Sequence, residues 1–199
     1  MPDPGRPPAR WVSATCLSRP RGFGQTVVSW EPDTCLTGTP DPNDPDAPLP
    51  SPQQLAWIAA DRAMAVAERP DLRIAPGRVG LTGLRSYFWL GHVPPRVWAT
   101  ASVPGVLVTA EAFPIRYGWS FGDGDGRGTR TIGRPWSRRS PGTISHLYET
   151  RGTYRVGVET IWQARWRIGT GGWMHLGYFS NATERDYPVR QMVARLTRD

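Results

Sequence analysis

From Tyr154 to Ile168 the chain alternates strictly. Tyr154, Val156, Val158, Thr160, Trp162, Ala164, Trp166 and Ile168 fall on one side of a period of two, and Arg155, Gly157, Glu159, Ile161, Gln163, Arg165 and Arg167 on the other. Successive side chains of an extended backbone point to opposite faces, so the run predicts one long β-strand with an apolar face turned inward and a face mostly meeting water. Its length predicts a hairpin that protrudes beyond the domain anchoring it. Gly169-Thr170-Gly171-Gly172 supplies the turn, and a return strand is expected over 173–180.

The second informative stretch is Tyr117-Gly118-Trp119-Ser120-Phe121-Gly122-Asp123-Gly124, followed by His146-Leu147-Tyr148 and Gly152-Thr153-Tyr154. Trp119 and Phe121 are two apart and share one strand face, where their rings can fill a core. Gly122 and Gly124 flank Asp123 as a tight turn requires, with backbone angles open to glycine and a side chain able to bond its own backbone. Together these residues resemble the polycystic-kidney-disease (PKD) domain, whose pattern reads Trp-Asp-Phe-Gly-Asp-Gly, His-Thr-Tyr, Gly-Thr-Tyr-x-Val; Ser120 and Leu147 depart from it. The resemblance implies a mainly β fold, an immunoglobulin-like β-sandwich of the PKD type. It makes Trp119, Phe121, Gly122, Asp123, Gly124, His146, Tyr148, Gly152 and Tyr154 structural motif residues.

The expected organisation has three parts. Residues 1–50 form a proline-rich, irregular arm, with six prolines between Pro40 and Pro52 and one short strand over 25–30. Residues 51–95 hold an accessory helix, opened by the capping box Ser51-Pro52-Gln53-Gln54 and running to about Glu68, then the segment 81–90. The helix shows a thin, alanine-rich apolar face through Leu55, Ile58, Ala59, Arg62, Ala63 and Val66, so it needs a partner surface, and the expected one is the protruding hairpin. Residues 96–199 carry the sandwich, with a hairpin across Pro104-Gly105, core candidates Trp98, Val103, Val106 and Val108, a separate motif strand over 115–121, and a last strand over 187–196. The arm, the helix, the Gly-Leu-x-x-aromatic-aromatic-Trp-Leu segment and the sandwich together resemble PKD-domain proteins of high-GC bacteria. Those are exported or tied to the cell envelope, whereas no signal peptide is visible here, so the expectation is an upstream start or a lost leader.

A formal net charge of +7 invites a nucleic-acid partner, but all 24 basic residues are arginine, a bias that a GC-rich genome explains without phosphate binding. The most basic segment, 125–145, holds Arg127, Arg130, Arg134, Arg138 and Arg139; it is read first as a solvated loop, and alternatively as a nucleic-acid site. Trp162, Trp166 and Trp173 on the hairpin are read first as covered by the helix and the Tyr87-Phe88-Trp89 segment in a small second core, and alternatively as exposed binding residues for a protein or glycan partner. Cys16 and Cys35 are a candidate disulfide, favoured by the extracellular setting that the resemblance implies. His92, His146 and His175 lack a second ligand at metal spacing, and Asp123 with Asp125 is only the beginning of a calcium loop. No metal, cofactor, transmembrane segment or catalytic residue is expected. The reading that follows is a non-catalytic adhesion or interaction module at the envelope, with nucleic-acid binding and carbohydrate binding as the alternatives. Asn181-Ala182-Thr183, a formal glycosylation sequon, reads as a turn.

Overall fold

A computed structural model describes residues 49–192, together with the backbone of a two-residue ladder in which β1 (Thr15–Cys16) pairs antiparallel with β2 (Cys35–Leu36). That ladder sets Cys16 opposite Cys35. The cysteine side chains, the rest of the arm, the strand expected over 25–30 and the end of the last strand lie outside the described residues. The elements that follow are α1 (Pro52–Ala65), β3 (Leu72–Ala75), β4 (Gly80–Leu81), β5 (Arg85–Leu90), β6 (Val97–Val103), β7 (Val106–Ser120), β8 (Gly126–Thr129), β9 (Ile144–Leu147), β10 (Gly152–Ile168) and β11 (Met174–Arg190). The protein is mainly β with one helix among the described residues.

Three strands set the plan. β7 has 15 residues and β10 and β11 have 17 each, so together they make a platform much longer than the usual strand of about 5–6 residues. Strand order is β4-β11-β10-β7-β6, with β8 pairing β7 beyond the end of β6. All neighbours are antiparallel except β4 and β11, which run parallel. A second sheet, β3-β5-β9, covers one end of the platform. Between them lies the main core: Leu72, Ile74, Phe88, Leu90 and Ile144 from the small sheet meet Tyr117, Trp119, Val156, Val158, Tyr187 and Val189 from the large one.

At the other end α1 replaces the small sheet. The capping box forms as expected, with the Gln54 backbone N–H donating to Ser51 Oγ at 3.3 Å and the Ser51 N–H to Gln54 Oε1 at 2.7 Å. Leu55, Ala56, Ala59, Ala60 and Ala63 are buried against Ala101, Val108, Ala110, Ala112, Trp162 and Ala164. Alanine on both surfaces lets the helix axis come close to the strands, so a thin apolar face suffices to build a core. The buried face is rotated from the expected one: Val66 is exposed, and Arg62 reaches across to donate to the Thr100 carbonyl at 3.1 Å.

Both covers sit on the same face of the platform. The inward set on β10 runs unbroken from Val156 to Ala164, while β7 changes parity from Val108, Ala110 and Ala112 to Tyr117 and Trp119. The register shift opposite Ile161/Trp162 absorbs the extra residue and keeps both halves of β7 facing inward.

Several expectations need correcting. The return strand and the last strand are one, β11, and Asn181 lies inside it rather than in a turn. The strand at 115–121 is continuous with the one before it, in β7. The helix stops at Ala65. Trp98 is not in the core but 69% exposed on β6. Tyr87, Phe88 and Trp89 do not cover the hairpin; they belong to β5, in the small sheet, so the segment 51–95 supplies both a helix and part of the main core.

Candidate functional site

The motif residues converge at one end of the main core. The chain leaves β7 through Phe121, and Gly122 turns it with φ +85° where an added Cβ would stand 2.7 Å from the backbone nitrogen of Arg155, so that position accepts glycine alone. Asp123 Oδ1 accepts from the Asp125 N–H at 3.2 Å and closes the turn. His146, on β9, brings its Nε2 within 2.6 Å of Asp123 Oδ2 and stacks its ring on Phe121 at 4.4 Å and 8°. Tyr148 is buried beside it, donating to the Phe121 carbonyl at 2.9 Å, and Tyr154 at the start of β10 donates to the Thr150 carbonyl at 2.8 Å. Trp119 donates its indole N–H to Thr129 Oγ1 at 2.9 Å, fastening β8 to β7.

Asp123, Asp125 and His146 offer ligand atoms that all lie within 4.8 Å of one another. The sequence places His146 far from the aspartates, and only the pairing of β9 with β5 brings it round. An ion here would have to displace the hydrogen bond between His146 and Asp123.

Burial pushes the Tyr148 phenol far above its ordinary value, with the negative charge of Asp123 adding to it; burial likewise raises Tyr117 and Tyr187, the latter against hydrogen bonding to Ser86. These phenols are held neutral in the fold, while in the unfolded chain they titrate near 10. Their contribution is therefore complete below about pH 10 and lost as pH rises through the folded values. Followed by phenolate absorbance, these three of the six tyrosines are expected to titrate late and together with unfolding. A single reversible transition for all six would contradict the burial.

The arginine segment is more ordered than a free loop. Gly126–Thr129 is β8, the Leu90 N–H donates to the Ile132 carbonyl at 2.9 Å, and the Arg134 N–H donates to Thr143 Oγ1 at 3.1 Å. Trp136 stacks on Tyr87 at 6.3 Å, and Ser137 and Ser140 close a tip that holds Arg138 and Arg139. Arg127, Arg130, Arg134, Arg138 and Arg139 are all exposed.

The hairpin tryptophans separate. Trp162 is fully buried under α1 and Trp166 packs against the helix core, so neither is a free binding surface; Trp173 is 37% exposed on the opposite side. There Arg165 and Arg167 lie over its ring at 4.5 and 4.6 Å, and Arg96 and Arg165 over Phe113 at 5.1 and 5.4 Å. Glu111 pairs with both Arg96 and Arg165. Burial raises its pKa, but the hydrogen bonds and charges of the two guanidiniums outweigh that and hold the carboxyl below its usual range.

Comparison with protein-family models, with curated proteins and with solved structures finds no match to this chain. No helix among the described residues is long and apolar enough to cross a membrane.

Proposed function

We propose that the chain is a non-catalytic, immunoglobulin-like module of the PKD type that works by protein–protein contact at the bacterial cell envelope. The observation that carries the reading is that the polar motif residues are engaged with one another: Asp123 with His146, Tyr148 with the Phe121 carbonyl and Tyr154 with the Thr150 carbonyl. They hold a turn between strands rather than converging on an open cleft.

Strand order supports the immunoglobulin-like assignment. In the usual lettering, β3-β5-β9 takes the places of A, B and E, and β11-β10-β7-β8 those of G, F, C and the added C′. Trp119 then stands where such sandwiches bury a tryptophan on strand C. Tyr154 stands where a tyrosine near the start of strand F bonds back to the backbone upstream. A fold does not fix a function, and adhesion is read from the combination of this scaffold with a surface rich in aromatic and arginine side chains.

Location is the deciding test. Native cells are treated with protease while intact, then fractionated, and the free thiols of the purified protein are counted. Protein cleaved from the outside, with Cys16 and Cys35 bonded to each other, is the expected result. Protein found wholly in the cytosol with two free thiols overturns the envelope role.

A second reading, nucleic-acid binding, is favoured by the five exposed arginines at 127–139. It predicts binding to DNA or RNA that weakens steeply between low and moderate salt and disappears when those five become alanine.

A further inference from the structure

The hairpin half of the platform has a second face, which α1 does not touch. Trp98, Glu111, Arg165 and His175 stand opposite one another in a row across β6, β7, β10 and β11, and Phe113, Gln163 and Tyr178 form the next row. Rings and guanidiniums on this face are already stacked on each other. Trp173 and Phe113 each carry two guanidiniums within 5.4 Å. Two of the three guanidiniums on this face share its one carboxylate: Glu111 takes Arg96 at 3.0 Å and Arg165 at 2.7 Å. Arg167 has no ion pair among the described residues, and its Nε is buried without a hydrogen-bond acceptor. Trp98 lies on the edge strand with 69% of its surface open.

We propose that this face is the docking surface of the module and that its partner is an acidic protein segment. The inference rests on the interaction-module reading and names the partner's chemistry. Carboxylates of the segment pair with Arg167 and the free N–H edges of Arg96 and Arg165, and its apolar side chains lie on Trp98. Tryptophan, tyrosine and arginine are the residues that dominate binding energy at protein interfaces, and here they are grouped. Because the guanidiniums are held on the rings beforehand, little side-chain freedom remains to be lost on binding.

Area and charge decide between occupants. Four strands about 4.8 Å apart, along roughly seven residues of about 3.4 Å each, present on the order of 450 Å². That falls short of the about 800 Å² per partner of a standard interface, so the face suits a segment better than a globular surface. A second copy docked by twofold symmetry would set the same arginines against each other. Trp98 alone would offer a nucleic-acid base an open ring, since on Trp173 and Phe113 guanidiniums already lie over the rings; a carboxylate takes the in-plane N–H edges and leaves the stacks intact.

The test is selection of random displayed peptides on the folded protein, followed by affinity measurement of a synthesised selected peptide on Arg167→Glu and Trp98→Ala. Neither side chain belongs to a core cluster, and unchanged melting temperatures establish that both variants fold. Enrichment of peptides combining Asp or Glu with aromatic or aliphatic residues is expected, with at least a tenfold loss of affinity in each variant. Selection of no acidic peptide overturns the proposal. Peptides that bind both variants as tightly as the original chain overturn this face as the dock, and leave the interaction-module reading standing. Salt-sensitive displacement of the selected peptide by oligothymidine overturns both.

Discussion

Trp119→Ala is expected to lower the unfolding free energy by about 3–5 kcal/mol, the range for removing a fully buried tryptophan. The indole is completely buried between the two sheets, among Phe88, Phe121, Val156 and Tyr187. Its loss removes apolar contact and leaves a cavity whose walls belong to two hydrogen-bonded sheets that cannot close on it. It also removes the donor to Thr129 Oγ1, which in turn donates to the Thr131 carbonyl at 2.8 Å, so β8 keeps its ladder with β7 but loses its side-chain tie. Against a typical total of about 5–15 kcal/mol, a loss of this size leaves a marginal fold. Urea denaturation of the variant beside Trp119→Phe checks it, since phenylalanine keeps most of the volume and is expected to cost less. A loss under about 1 kcal/mol for the alanine variant would place the ring outside the core.

What the sequence made legible follows from where local rules dominate. The period of two in β10 predicted its inward face from Val156 to Trp166, because a long strand has only two faces and one is covered throughout. The helix start was equally plain, since Ser51, Pro52 and Gln54 act on their own backbone within one turn. Its buried face was not, because in a run such as Ala56, Ala59, Ala60, Ala63, Ala65 and Ala67 the residues do not differ enough to mark a stripe. Sheet membership failed for a related reason. β3, β8 and β9 have four residues each, too few for periodicity, and they are strands because of their partners. The cluster of Asp123, Asp125 and His146 was hidden in the same way. So was the arginine-aromatic face: Trp98, Phe113, Arg165 and Trp173 come from three separate stretches that only the registers of β6, β7 and β10 align, although the outward arginines of β10 were already visible in its alternation.

Trp162 is the sharpest case, and the second large effect is expected there. On a protruding hairpin it could be covered by the helix or exposed as a binding surface, and the alternation alone did not decide; in the fold it is completely buried beneath α1. Trp162→Ala is expected to cost about 3–5 kcal/mol, with the cavity cost set by how far neighbours can relax. Ala63, Ala112 and Ala164 are too short to fill the space, which leaves Met64, Leu176 and Phe179 at the edge of the cluster to lean into it. The indole N–H donates to Asn181 Oδ1 at 3.0 Å, and Asn181 Nδ2 donates to the Glu68 carbonyl at 2.9 Å just past the helix. Removing Trp162 therefore loosens the tie between β11 and the chain leaving α1 as well as emptying the core between them. The main core, with Trp119 at its centre, is a separate cluster further along the same strands. Hydrogen exchange should accordingly show the α1 amides losing protection first, while those of β5 and β9 keep most of theirs. Equal loss in α1 and β5 would mean that the platform transmits the damage along its full length and that the two covers open as one unit. Unchanged protection in α1 would remove Trp162 from the helix core altogether.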